Sequence, residues 1–346
     1  MLGPFLAKLV EGRSLTEEEA AEAMRGLIAG EASEPQAGAY LTALRLKGET
    51  VAEILGSARV VRDGTLNVRS GRADLLDTCG TGGDGAGTFN VSTAAALVAA
   101  GAGAPVAKHG NRSVSSRCGS ADLLEACGVP LALGAQAAGA VLDEAGIVFL
   151  FAPALNTAMA SVAPLRRRLG IRTLFNLIGP LANPARAERQ LLGVYDARWV
   201  EPLAEVLAGL GSRRALVVHG AEGLDEISLA GPTHAALLDE GRVRRLTLAP
   251  EDFGLPRHPE GAIAGGGPEE NRARLGTILE GAPGPWRDAV VANAAAALWV
   301  AGLAPDVREG ARLAASTLDS GAAASALTRL IAVSWRHAGP AEGPGP

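Results

Sequence analysis

Lysine is nearly missing from this sequence. Of 32 basic residues only Lys8, Lys47 and Lys108 are lysine, and the rest are arginine. So broad a replacement reflects compositional bias rather than function, but it gives each surviving lysine weight. Cysteine is equally scarce. Cys79, Cys118 and Cys127 form no C-x-x-C pair, which gives no zinc site and suits a reducing cytoplasm. No apolar stretch runs for about 18 residues without Gly, Pro or a charge, which argues against a membrane span. The opening MLGPFLAKLVEGRSLTEEEA turns acidic at once and lacks the apolar core of a signal peptide. Positive charge is not in excess either: the net charge is −5, which argues against a general electrostatic grip on nucleic acid.

What is present is a core-forming composition. The chain has 346 residues, 48% hydrophobic and 20% charged, enough for one large domain or two ordinary ones. Residues 1–66 read as helices. The segment SLTEEEAAEAMRGLIAG opens on a cap at Thr16 with acids in its first turn and closes on Gly30. Lys8 and Lys47 fall in amphipathic patterns that predict solvated faces. From residue 73 the pattern changes. ADLLDTCG, APVAKHGN, IVFLFAP and RRALVVHG are short apolar runs alternating with helices, which predicts a mostly parallel sheet covered on both faces. AALLDEGRVRRLTL predicts a hairpin with a DEG turn. Helices close the chain to about residue 334, and residues 336–346, rich in Pro and Gly, read as a frayed tail.

In open parallel sheets, ligands bind beyond the carboxyl ends of the strands. Four loops leave such ends here: 79–90, 108–120, 152–166 and 219–228. The first, DTCGTGGDGAGTFNVST, satisfies G-x-G-x-x-G at Gly80, Gly82 and Gly85 but lacks both the Lys of a P-loop and the acid of a dinucleotide site. A backbone nest for an anion at a helix N-terminus remains, with Thr88, Asn90, Ser92 and Thr93 as neutral hydrogen-bonding groups. The second loop clusters Lys108, His109, Asn111 and Arg112 with Ser113, Ser115, Ser116 and Ser120, a chemistry suited to phosphate. Ser120 also occupies a position expected for a helix cap. The third carries Arg166, Arg167, Arg168 and Arg172, any of which could pair a carboxylate. The fourth places Asp225 beside Glu226. Next to a polyphosphate such acids hold Mg²⁺, and Asp84 in the glycine loop can then face the metal or its waters.

In order and spacing, DTCGTGGDGAGTFNVST, KHGNRSVSSRCGSADLLEACG, LRRRLGIRTLFNLIGPLANPA and GLDEIS resemble the anthranilate phosphoribosyltransferase family, over nearly the whole chain. The resemblance implies an α/β fold of the nucleoside phosphorylase/phosphoribosyltransferase type. A small all-helical domain (1–66, joined by helices from about 160–185) would precede a larger α/β domain (73–335). It implies transfer of the phosphoribosyl group of PRPP to the amine of anthranilate, and a homodimer formed through the helical domain. It implies PRPP contacts from Gly80, Gly83, Asp84, Thr88, Asn90, Val91, Ser92 and Thr93 in the first loop. In the second it implies Lys108, as electrostatic stabiliser, then His109, Gly110, Asn111, Arg112, Ser113, Ser115, Ser116 and Ser120. It implies anthranilate contacts from Gly80, Asn111 and Arg166, and Mg²⁺ ligands Ser92, Asp225 and Glu226. The sequence departs from the family at Asn156-Thr157-Ala158-Met159, where the family commonly reads His-Pro-Ala-Met, so an imidazole is absent.

No loop pairs a nucleophile with an activating base, which predicts direct displacement through an oxocarbenium-like transition state with inversion, rather than a covalent intermediate. Three other readings compete: a pyrimidine nucleoside phosphorylase-like enzyme, a nucleic-acid-binding paralogue and an NADP-dependent oxidoreductase. The first would have little use for Arg166 as a carboxylate clamp. The acidic charge opposes the second, and the third rests on the G-x-G-x-x-G match and the basic end of the second strand.

Overall fold

A computed structural model of the chain describes residues 2–113 and 116–338. Four helices come first: α1 (Gly3–Val10), α2 (Glu17–Ile28), α3 (Glu34–Lys47) and α4 (Val51–Asp63). Two of them begin on reciprocal caps. Thr16 Oγ1 accepts from Glu19 N (3.2 Å) while Glu19 accepts from Thr16 N (3.0 Å), and Thr50 and Glu53 repeat the arrangement at the start of α4. Glu53 does more than cap. Fully buried, it also accepts from Leu15 N and from Lys47 Nζ, both at 2.9 Å, so one carboxylate ties α4 to α3 and to the turn before α2. The Lys47 side chain is 8% exposed, contrary to its expected solvated face. A buried carboxylate needs a counter-charge, and Lys47 supplies it.

The rest of the chain alternates. The strands are β1 (Leu76–Gly80), β2 (Val106–Gly110), β3 (Ile147–Phe151), β4 (Arg189–Gly193), β5 (Arg214–Gly220), β6 (Thr233–Asp239) and β7 (Arg242–Leu248). The helices between them are α5 (Val91–Gly101), α6 (Ser120–Ala126), α7 (Ala135–Ala145), α8 (Ala152–Leu155), α9 (Thr157–Leu169), α10 (Leu174–Ile178) and α11 (Val200–Gly209). After the sheet come α12 (Pro268–Leu279), α13 (Pro285–Ala301), α14 (Val307–Asp319) and α15 (Ala322–His337). One seven-stranded sheet runs in the order β3-β2-β1-β4-β5-β6-β7. β1 to β5 are parallel, while β6 and β7 are antiparallel additions. The β6–β7 turn is Glu240-Gly241, with φ of 45° and 78°, the doubly left-handed turn that matches strand twist.

Strand alternation divides the core. In β5, Leu216 and Val218 pack with α5 and α13 on one face, while Ala215 and Val217 join the other cluster, which contains α1–α4, α10 and α11. α9 packs on α2 and α3, and α10 on α3 and α4, so these later helices lie against the first four.

One boundary and one element differ from the sequence reading. The last helix continues to His337, past the expected end near 334, because Arg336 and His337 reach Glu144. Residues 339–346 of the expected tail lie outside the described residues. β4 was not anticipated. Its first two residues, Arg189 and Gln190, look polar, yet Gln190 is buried and donates to Pro180 O (2.8 Å).

Asn183 holds the parallel sheet at a second polar point. Its Nδ2 donates to Asp77 Oδ2 and to Ala107 O, both at 2.8 Å, and Asp77 in turn accepts from His109 N (3.0 Å). Asp77 is fully buried, and desolvation raises its pKa against the pull of Lys108. Asn183→Ala strands one Asp77 oxygen in the core and should lower stability by about 1–3 kcal/mol. Urea unfolding monitored by circular dichroism reads this directly, and an unchanged midpoint would remove Asn183 from the account.

Candidate active site

The chain reverses its direction of travel across the sheet between β1 and β4, and ligand crevices form at such switch points. The loops leaving these two strands are stitched together: Thr81 N donates to Gly193 O (2.9 Å) and Tyr195 N to Thr81 Oγ1 (3.0 Å). Gly82, Gly83, Gly85 and Gly87 all have positive φ, between 60° and 78°, which only glycine adopts without strain. The loop ends on Val91, the first residue of α5, so its amides and the helix dipole face the same crevice.

The loop after β5 fits into this crevice because two strands end in glycine. A Cβ on Gly80 would strike the Asp225 carboxylate, and one on Gly193 would strike the Asp225 backbone. Asp225 Oδ2 accepts from Gly82 N (2.7 Å), and Glu226 Oε1 accepts from Ser92 N (3.0 Å). The acids are therefore drawn in rather than solvated. Burial, followed by the Asp84 charge, pushes Asp225 up to about 7; burial, followed by the Asp225 charge, pushes Glu226 up to about 8. Lys108 lies within β2 rather than in the loop expected for it. It is 3% exposed, and its ammonium donates to Thr78 O and lies 3.5 Å from Ser92 Oγ, where it is counter-charge to Asp77, Glu226 and Asp225.

This set can take a cation. Its donors are oxygens, and Asp84 Oδ2 is buried without a partner among the described residues. Among the described residues no group of three His, Cys, Asp or Glu side chains closes on one point. A cation here would draw the remainder of its shell from water and ligand oxygens, as Mg²⁺ prefers.

The second loop differs from expectation. Arg112 is committed: it donates to Glu125 (2.6 and 2.8 Å) and Asp122 (3.0 Å), so its guanidinium is not a free phosphate clamp. Ser120 is the first residue of α6, not its cap. Asp122 takes the capping role, accepting from Gly119 N (2.8 Å) and Ser113 N (3.0 Å). The Ser113 and Ser116 hydroxyls bond each other (2.7 Å), and Ser120 Oγ donates to Asn111 O (3.3 Å). Ser115 lies outside the described residues. His109 alternates to the face opposite Lys108, with Nε2 buried and unpartnered among the described residues, and burial pushes it down to about 4, so the ring is neutral. Gly110 has no room for a Cβ against Phe149 and Ser120. Asn90 spends its side chain on structure, donating to Cys118 O (3.0 Å) and accepting from Asn271 Nδ2 (2.9 Å). Thr88 bridges to Ala264, Val91 is buried, and Thr93 Oγ1 is buried without a partner among the described residues.

On α9, Arg166 is half-buried and stacks over Phe175 (5.6 Å). It has no carboxylate partner among the described residues, and burial lowers its pKa. Arg168 pairs with Glu34 instead. Asn156, where the resemblance implied a histidine, is buried and caps α9 by accepting from Met159 N (3.1 Å).

A model for the glycosyl transferase family a/b domain matches residues 72–324, and one for the helical bundle domain of that family matches 3–64. The anthranilate phosphoribosyltransferase of Symbiobacterium thermophilum is 52% identical over 94% of this chain and 96% of that one. That of Moorella thermoacetica is 53% identical over 96% and 98%. The crystal structure of the Thermus thermophilus enzyme superposes with a TM-score of 0.90 at 48% identity, over 95% of this chain and 99% of that one. The Saccharomyces cerevisiae enzyme in complex with PRPP and Mg superposes with 0.88 at 29% identity, over 97% and 98%.

This chain belongs to the anthranilate phosphoribosyltransferase family.

The structure brings to this crevice residues that the sequence reading missed. Asn271 is 1% exposed and joins α12 to the glycine loop by accepting from Gly266 N (2.7 Å) as well as donating to Asn90. Tyr195 follows the unanticipated β4. The signal was present in LLGVY, an apolar run into an aromatic, but its polar start concealed it.

The raised acids set a pH dependence. Open-chain carboxyls ionise near 4, so the folded chain holds more protons than the unfolded one between about 4 and 8, and stability falls as pH rises through that window. Without divalent cation, the Tm of the wild type should fall relative to that of Asp225→Asn/Glu226→Gln between pH 5 and 8. Millimolar Mg²⁺ should abolish the relative fall, because it replaces the protons. Thermal-shift curves with EDTA and with Mg²⁺ test both, and parallel curves in EDTA would mean the acids are ordinary.

Proposed function

We propose that this chain transfers the phosphoribosyl group of PRPP to the amine of anthranilate, giving N-(5-phosphoribosyl)anthranilate and pyrophosphate, the second step from chorismate towards tryptophan. The observation that carries the proposal is one crevice holding three complementary features. These are an anion-ready glycine loop, a buried acid pair beneath it, and Arg172, which reaches the loop at Gly83 O from the segment after α9, the helix whose Arg166 has no carboxylate partner among the described residues.

The glycine-loop amides and the N-terminus of α5 take the donor phosphates. Ser92, Asp225 and Glu226, with Asp84 beside them, would hold Mg²⁺, which when bound neutralises charge on the departing pyrophosphate. Lys108 holds the acid pair in place from below. Arg166 takes the anthranilate carboxylate by paired charged hydrogen bonds, and Asn111 and Gly80 lie on the acceptor's path. The aniline amine is neutral at pH 7, so no base need act before attack. No activated nucleophile for a covalent intermediate stands among the described residues of the crevice: burial raises the Cys79 thiol and pushes Cys118 up to about 11, and Ser92 faces an ammonium rather than a base. Displacement is therefore direct, with inversion. Positioning of this kind can supply about 7–11 kcal/mol.

A homodimer formed through the helical domain is part of this reading. Leu46 on α3 and Val10 on α1 are 83% and 69% exposed, apolar groups available for a second copy. Three free cysteines suit a cytoplasmic location.

Anthranilate fluorescence should fall when PRPP and Mg²⁺ are added, and not with EDTA or without PRPP. Arg166→Ala should raise the anthranilate KM by about 10- to 100-fold, the loss of one charged hydrogen-bonded pair, with far less effect on the PRPP KM. Equal effects on both substrates would remove Arg166 from the acceptor site. Leu46→Glu should convert a dimer to a monomer in sedimentation, and a monomeric wild type would overturn the assembly.

A further inference from the structure

The glycine loop is anchored at both ends. Gly82 N reaches Asp225, and Gly87 O accepts from Gly265 N (2.8 Å). Between these anchors Ala86 N bonds only within the loop, to Asp84 Oδ1 (3.2 Å). Among the described residues, one group from elsewhere grips the intervening stretch. The Arg172 guanidinium, from the segment joining α9 to α10, donates to Gly83 O. Gly83 has a φ of 73°, a conformation that glycine adopts without strain.

Arg172 is itself held. Its guanidinium carbon lies 4.4 Å from the centroid of the Tyr195 ring. That ring is a fixed platform: Tyr195 is 8% exposed, its N–H donates to Thr81 Oγ1, and its hydroxyl accepts from Trp199 Nε1 (3.2 Å). Arg172 makes no ion pair among the described residues. Its partners there are a carbonyl and a ring, which is unusual for a guanidinium beside a loop carrying Asp84.

We propose that Arg172 is a positioning residue for the donor. Clasped on Tyr195, it presets the glycine loop in its ligand-accepting shape and joins it to the segment that carries Arg166. The inference rests on the loop being the PRPP site. It is distinct from Arg166, which meets the acceptor. The same short stretch of chain, Arg166 to Arg172, thereby serves both substrates.

Two measurements on the full-length protein test it. The first is hydrogen exchange of the ligand-free chain, which needs no substrate. Arg172→Ala should speed exchange of the Gly82 and Ala86 amides, the two of this stretch with acceptors among the described residues, by about tenfold and leave α5 and the sheet unchanged, a local opening rather than unfolding. Tyr195→Phe, which keeps the ring, should behave as wild type, and Tyr195→Ala should match Arg172→Ala. The second is steady-state kinetics. Arg172→Ala should raise the PRPP KM about tenfold and the anthranilate KM less than about twofold, the reverse of Arg166→Ala. Arg172→Lys, which cannot both stack flat and donate, should recover little. Unchanged exchange at Gly82 and Ala86, or equal rises in both KM values, would overturn the clasp and leave the proposed reaction standing. A wild type that binds no PRPP in calorimetry would overturn both.

Discussion

The site depends on two carboxylates being buried at a point where the chain reverses direction. Asp225 and Glu226 could have remained on a solvated turn. Instead, glycines at the ends of β1 and β4 leave room for the loop, and the amides of Gly82 and Ser92 bond it in place. Desolvating two acids side by side is unfavourable, and their raised pKa values register that cost. Lys108 offsets part of it from β2, which explains why one of the few lysines lies inside the sheet. The cation proposed for this crevice would offset the remainder, and Asp84 in the glycine loop would face it.

Much of this architecture is legible in the sequence, because its strongest signals are local. Capping at Thr16, the glycine-rich turn, the buried strand IVFLF and the DEG hairpin each depend on residues within a few positions of one another. The features that escaped depend on partners far along the chain. Gln190 looks polar until Pro180 O is placed beside it. Arg112 suggests a phosphate ligand until Glu125 occupies it, and Lys47 looks solvated until Glu53 is buried against it. In all three cases a side chain's role was decided by a counter-group that sequence spacing does not announce. Asn271, 181 positions from the Asn90 it holds, is the extreme case.

The Asn156 departure has a structural answer. A side chain there must begin α9, and the Asn156 amide oxygen does so by accepting from Met159 N. The residue thereby keeps the helix start, and with it the course of the chain towards Arg166 and Arg172.

The far margin of the sheet has a consequence of its own. β7 is an outermost strand, and Arg242, Arg244 and Arg245 stand along it, with Arg245 drawn to Glu201 and Arg242 opposite Asp239. An open strand margin is a template for adding another strand, and one studded with cations repels its own copy. The sheet is thereby closed to growth from this side. A protein that must expose its central strands while being synthesised, before its late helices exist to cover them, gains from that margin a protection against fibrous association that its finished core does not need.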